Sequence, residues 1–268
     1  MFIQQLERAQ EKHQSLVCVG LDPNQAKIDA LGLGLLDWLK QIVDATAQHV
    51  CAFKPQIAYF AALKAEAELT AIIAYIHEKH PDVPVILDAK RGDIGSTAEQ
   101  YAREAFERYQ ADAVTVNPYM GGDTLKPYSS HAGKGVVVLC KTSNAGSGEL
   151  QNLTLADGQT LFQKVAGKAA NDWNDNRNLL LVVGATYPVE LADIRQIVGD
   201  MPLLIPGIGA QGGDVEKTLK AGLRADGKGL IISSSRGIIY AGDSAENCAE
   251  KARQACVELK NTINQYRD

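Results

Sequence analysis

No apolar run in the 268 residues approaches the roughly 20 needed to cross a bilayer. The opening Met-Phe-Ile-Gln-Gln-Leu-Glu-Arg lacks the pattern of a signal peptide. Both absences lead to the expectation of a soluble, cytoplasmic chain without a membrane partner. There is no Cys-x-x-Cys pair, and the five cysteines (Cys18, Cys51, Cys140, Cys248 and Cys256) are odd in number. Cys18, Cys51 and Cys140 lie in apolar, strand-like runs, which suits reduced thiols buried in a core. No cluster of metal ligands is evident. Basic residues are not in excess: the net charge is −5. A nucleic-acid partner is therefore not expected, because phosphate backbones are bound by basic faces. A small phosphorylated ligand needs only a local site and stays open. With no linker or low-complexity segment, one domain over 1–268 is expected.

What the chain does have is alternation. Apolar strand-like runs occur at Leu16–Gly20, Cys51–Lys54, Val83–Asp88, Ala113–Asn117, Gly135–Cys140, Leu179–Gly184, Leu203–Pro206 and Leu230–Ser233. Helical patterns follow them, near Leu31–Val50, Gln56–His80, Thr97–Tyr109, Thr124–His131, Leu161–Asp175, Val189–Val198, Val215–Gly222 and Ala245–Tyr266. Strands this apolar are covered on both faces, as in a parallel sheet flanked by helices. Eight such units make the count of an α/β (β/α)8 TIM barrel. Phe2–His13 is an extra N-terminal helix, expected to lid the N-terminal end of the barrel. Gly146-Ser147-Gly148, in the long connection after the fifth strand, is the candidate for a mobile loop.

Chemistry in this fold sits where strands end. The third strand ends in Asp88-Ala-Lys90-Arg91-Gly92-Asp93-Ile94-Gly-Ser-Thr97. Two carboxylates and an ammonium within six residues exceed what packing explains. Alternation along a strand puts Asp88 and Lys90 on one face. Such an array can tune pKa values and preorganise charge. The other strand ends carry Asp22, Lys54, Asn117, Thr142/Ser143, the Pro206–Gly213 glycine cluster and Ser233–Arg236, and a barrel brings them to one mouth. Gly207, Gly209 and Gly212 form Gly-x-Gly-x-x-Gly, but the motif follows the seventh strand and does not open a dinucleotide fold. After strands seven and eight of a barrel it is better placed to hold a phosphate, with Arg236 as bidentate partner. His77 and His80 are expected at the surface, not as ligands.

The run Asp88-x-Lys90-x-x-Asp93-Ile94, followed by Thr97, resembles the signature of the orotidine 5′-phosphate decarboxylases, in the form found in their longer-chain (type 2) subfamily. The resemblance extends from Asp22 to Gly237. It implies a metal-free carboxy-lyase without cofactors that converts orotidine 5′-monophosphate to UMP, the last step of de novo pyrimidine nucleotide synthesis. Carried over, Lys90 is the proton donor, with Asp88, Asp93 and Lys54 completing the catalytic charge array. Asp22 and Lys54 would contact the ribose, and Ser143 the pyrimidine edge, although Thr142 and Asn144 could do similar work. Gln211 and Arg236, with the backbone of Gly209 and Gly237, would hold the 5′-phosphate. Asp93, Ile94 and Thr97 would complete the site of a second subunit, which implies a homodimer with shared sites. The segments between Asp22 and Lys54 and between Ser143 and Leu161 look longer than in the commoner short form. A sister barrel using Mg²⁺ on a ketose-phosphate enediolate and a non-catalytic phosphate-ligand binding protein are the rival readings.

Overall fold

The computed structural model describes residues 1–208 and 213–267. In chain order the strands are β1 (Val17–Leu21), β2 (Ala52–Pro55), β3 (Ile86–Arg91), β4 (Ala113–Val116), β5 (Gly135–Lys141), β6 (Leu179–Val183), β7 (Leu203–Pro206) and β8 (Leu230–Ser234). The sheet order is β2-β1-β8-β7-β6-β5-β4-β3, and every neighbouring pair is parallel. Bridges between Phe53 and Val85 and between Gln56 and Asp88 bring the two outer strands together. The result is a (β/α)8 barrel, as the alternation indicates.

The helices are α1 (Phe2–His13), α2 (Gln25–Ala30), α3 (Leu35–Thr46), α4 (Ile57–Ala62), α5 (Glu66–Lys79), α6 (Gly95–Arg103), α7 (Lys126–Ser129), α8 (Gly148–Gln151), α9 (Leu161–Asn171), α10 (Pro188–Val198), α11 (Val215–Gly222), α12 (Arg236–Ile239) and α13 (Cys248–Asn264). Two long helical patterns are in fact broken. The expected Leu31–Val50 helix divides into α2 and α3, with Gly32 left-handed and Gly34 as the N-cap of α3. The expected Gln56–His80 helix stops at Ala62, where Lys64 turns left-handed (φ 55°) and the Ala65 amide bonds back to the Phe60 carbonyl. No glycine or proline marks that stop, so periodicity runs across it.

Alternation along the strands divides the core in two. Side chains such as Val19, Val138, Leu181 and Ile232 face the surrounding helices. Cys18, Ala52, Ile86, Ala113, Val137, Leu180, Val182, Leu204 and Ile231 fill the barrel interior, and Phe2 and Leu6 of α1 join them. α1 therefore seals the barrel from below. The Phe2 amide bonds to the Gly133 carbonyl, the Gln10 side chain to the Leu230 carbonyl, and a Cβ on Gly135 would strike the Phe2 ring. Leu6→Ala is expected to cost about 2–4 kcal/mol through the cavity it opens beneath the barrel. A denaturant midpoint lowered by that amount, with ligand affinity unchanged, is the check.

The five cysteines are buried and free. Burial pushes the Cys18 and Cys140 thiols up to about 12, so they are inert. His77 and His80 are less superficial than expected: both are partly covered, His77 against Asp112 at 2.9 Å and His80 against Asp44 at 2.7 Å. Asp112 also accepts from the Val85 amide, so the first pair braces the start of the third strand.

Candidate active site

Asp22, Lys54, Asp88, Lys90, Ser143, Arg236 and the turn at Gly207 line one cavity of about 550 Å³ at the C-terminal ends of the strands. Seven of the eight barrel strands or the loops directly after them contribute, so the convergence expected from strand-end chemistry is realised except at β4, whose Asn117 lines a separate cleft. Tyr59, Thr142, Asn144 and Ser233–Ser235 complete the wall. Tyr59 carried no signal in the sequence, because it sits on α4 and not at a strand end.

Asp88 is the hub. Its Oδ2 accepts from Lys54 Nζ at 3.1 Å, and its Oδ1 accepts from Lys90 Nζ at 2.6 Å and from Thr115 Oγ1 at 2.9 Å. Lys54 and Asp88 are buried, whereas the Lys90 side chain is nearly half exposed to the cavity. Burial alone would raise the Asp88 pKa, but Lys54 and Lys90 overcome it and hold the carboxyl well below its ordinary value of 3.8. Burial would likewise lower Lys54, and Asp88 and Asp22 reverse this, leaving its pKa above the ordinary 10.5. Asp88 and Lys54 therefore both stay charged across the neutral range.

The linkage has a sign for each partner. The depressed Asp88 pKa supplies stability that is present above 3.8 and lost as pH falls through the folded value. The raised Lys54 pKa supplies stability that is present below 10.5 and lost as pH rises through the folded value. Unfolding midpoints are expected to form a plateau between about pH 4 and pH 10 from this pair and to fall on both sides. A paired Lys54→Met, Asp88→Leu variant should lose that share of the pH dependence.

Asp88 and Lys90 meet, but not through simple strand alternation. The β3–β4 register jumps from Leu87/Val114 to Arg91/Val116, and Lys90 takes a left-handed backbone (φ 47°). The strand does not end at Asp88 as expected; it runs through a bulge to Arg91. Thr115 holds that bulge, its Oγ1 accepting from the Ala89 and Lys90 amides at 2.9 Å each while donating to Asp88. On the far side, Arg91 forms a two-pronged pair with Glu104 at 3.0 Å and lies over the Tyr101 ring. Thr115 was not anticipated, since a hydroxyl on the next strand has no local sequence signal. Thr115→Val leaves two covered amides without an acceptor, and a loss of about 2 kcal/mol in denaturant unfolding is expected, with Thr115→Ser close to the parent.

Across the cavity, Arg236 opens the short α12, exposed and, among the described residues, without an ion pair or hydrogen bond to its guanidinium. Asp22 Oδ1 and Ser235 Oγ are buried there without a partner among the described residues. Unpaired polar atoms of this kind are free for a ligand's hydroxyls and oxygens. Gly237 begins the same turn and has open space around it. Gly209 and Gln211 lie outside the described residues.

On the β5 side, Ser143 is pressed against Gly184, where any Cβ would come within 2.8 Å of the Ser143 backbone. Thr142 and the Asn144 side-chain carbonyl oxygen are engaged within the loop: Thr142 Oγ1 donates to Asn144 Oδ1 (2.7 Å), and the Thr142 amide and hydroxyl both pair with Gln151. Ser143 has no such commitment among the described residues, which favours it among the three candidates for ligand contact. The Gly146–Gly148 segment, the candidate for a mobile loop, forms a helical turn (Ala145–Ser147) leading to α8, with Ser147 buried.

Asp93, Ile94 and Thr97 do not line the cavity. Asp93 Oδ1 accepts from the Ile94 amide, and Ile94 is 60% exposed.

Comparison with known proteins agrees over the whole chain. Residues 15–251 match the model of the orotidine 5′-phosphate decarboxylase / HUMPS family. The orotidine 5′-phosphate decarboxylase of Dechloromonas aromatica (strain RCB) is 58% identical over 99% of both chains. Among solved structures, Leishmania donovani OMP decarboxylase is 41% identical with a TM-score of 0.88, covering 99% of this chain and 98% of that one. The structure of L. donovani UMP synthase is 42% identical with a TM-score of 0.89, and this chain spans 56% of its length.

Proposed function

Because the chain belongs to the orotidine 5′-phosphate decarboxylase family, we propose that it converts orotidine 5′-monophosphate to UMP and CO2, the last step of de novo pyrimidine nucleotide synthesis. The observation that carries this reading is the Lys54–Asp88–Lys90 array facing an unpaired Arg236 across one cavity. The substrate offers no electron sink at C6, so the barrier lies in forming a carbanion there. The 5′-phosphate is held by Arg236, with Gln211 and the amides of Gly209 and Gly237. Asp22 and Lys54 take the ribose hydroxyls, and Ser143 reads the pyrimidine edge. Asp88, kept ionised by its two lysines, stands beside the substrate carboxylate and raises the ground state. The C6–carboxyl bond breaks, CO2 leaves, and the electron pair stays on C6 beside the Lys90 ammonium. Lys90 then transfers a proton to C6, forming the C–H bond of UMP, and recovers one from water. Remote phosphate binding contributes to the transition state by closing the site.

A homodimer, with Asp93, Ile94 and Thr97 reaching a neighbour's site, is part of the proposal. Exposed apolar side chains support it: Ile94, Tyr119 (81% exposed) and Met120 all lie in loops that follow β3 and β4 at the site's end of the barrel. The two loops touch, a Cβ on Gly92 falling 3.5 Å from the Met120 terminal carbon. Among the described residues no helix is long and apolar enough to cross a membrane, which is compatible with a cytoplasmic enzyme whose 268 residues act as one domain.

The rival reading is a sister barrel that uses Mg²⁺ on a ketose-phosphate enediolate. That chemistry needs another carboxylate at the mouth, and Lys54 occupies the end of β2 with its ammonium on Asp88. Following the loss of orotidylate absorbance and the appearance of UMP, with and without a chelator, separates the readings. Turnover that survives the chelator is expected. Turnover abolished by it would favour the metal enzyme, and nucleotide binding without turnover a binding protein.

A further inference from the structure

Lys141 ends β5 at 0% exposure, yet among the described residues no carboxylate pairs with it. A buried, unpaired ammonium is costly and is retained only where other groups compensate for the lost water. Here its Nζ donates to Ser147 Oγ at 2.9 Å and lies 4.2 Å from the centre of the Tyr187 ring. Ser147 Oγ in turn donates to the Tyr187 hydroxyl at 3.3 Å, and that hydroxyl donates to the Asn144 carbonyl at 3.4 Å. The Lys141 carbonyl accepts from the Gly184 amide at 2.8 Å, and Gly184 is the residue against which Ser143 is pressed. The Ser147 and Asn144 ends of this network lie on the 142–147 loop, whose first three residues form one wall of the cavity, and Tyr187 and Gly184 brace it from the segment after β6. Lys141 itself does not face the cavity.

We infer that Lys141 is a positioning residue for pyrimidine recognition: its buried ammonium, fixed by Ser147 and the Tyr187 ring, sets the loop that carries Ser143 against the cavity. The inference rests on the nucleotide reading above and adds a determinant of base specificity to it. The loop follows β5, three strands round the barrel from β8, after which Arg236 stands, so loss of Lys141 is expected to act on the base half of the ligand. A purely structural role would weaken both halves together.

The test is calorimetric titration of the full chain with UMP and, separately, with ribose 5-phosphate. Lys141→Met removes the charge and keeps the length. It is expected to weaken UMP binding about tenfold or more while ribose 5-phosphate binding stays within about twofold. Should that variant not fold, Ser147→Ala removes only the hydroxyl that receives the ammonium, and a smaller loss confined to UMP is expected. UMP affinity unchanged in the folded variants, or equal losses for both ligands, would overturn the inference. A parent protein that binds neither ligand would overturn the nucleotide reading and the inference with it.

Discussion

Lys90→Ala is expected to lower the turnover of orotidine 5′-monophosphate by at least about 10⁴-fold, because it removes both a proton donor and a fixed positive charge beside the reacting carbon. The fold should survive, since the Lys90 side chain is nearly half exposed and its ion pair is the more solvated of the two on Asp88. Lys90→Gly gives a second, independent reading of the site. The residue sits at φ 47°, a region costly for any side chain with a Cβ. Both variants lack the ammonium, so they should be equally inactive, but the glycine variant should be the more stable by about 1 kcal/mol in urea unfolding. Strain would then be located at the catalytic lysine, held by Thr115 for the sake of function. A Lys90→Ala enzyme with a near-parental rate would remove Lys90 from the proton-donor role.

Arg236→Ala is expected to reduce kcat/KM by about 10²–10³, the loss of one charge-assisted, two-pronged phosphate contact. Nothing in the folded chain competes for this guanidinium among the described residues, so its removal should leave stability unchanged. The discriminating comparison is between ligands. UMP affinity should fall, while uridine, which lacks the phosphate, should bind parent and variant alike. If uridine binding fell equally, Arg236 would be shaping the cavity and not gripping phosphate. A fall in kcat as well as a rise in KM would show that grip energy is expressed in the transition state.

The strands were readable because each is an apolar run that must be covered on both sides, and α1 because its apolar face repeats at helical spacing, Phe2, Leu6 and Ala9 all being buried. Asp88, Lys90, Lys54 and Arg236 stood out as charges at strand ends. Harder to read was anything fixed by contacts distant along the chain. The β3 bulge depends on Thr115, which lies 25 residues beyond Lys90 and looks like any strand threonine. Lys141 carried no signal in the sequence, because what encloses it, Tyr187 above all, lies far along the chain. The break at Lys64 has no glycine or proline to announce it, and the helical turn in the glycine-rich Gly146–Gly148 segment, with its buried Ser147, has no local signal either.

A structure of the protein with UMP bound tests the central claim most directly. The phosphate is expected on the Arg236 guanidinium, the uracil edge on the Ser143 loop, and C6 facing the Lys90 ammonium. A nucleotide seated elsewhere, such as in the apolar cleft formed by Tyr119, Leu150, Phe162 and Trp173, with the Lys54–Asp88–Lys90 cavity left empty, would contradict it.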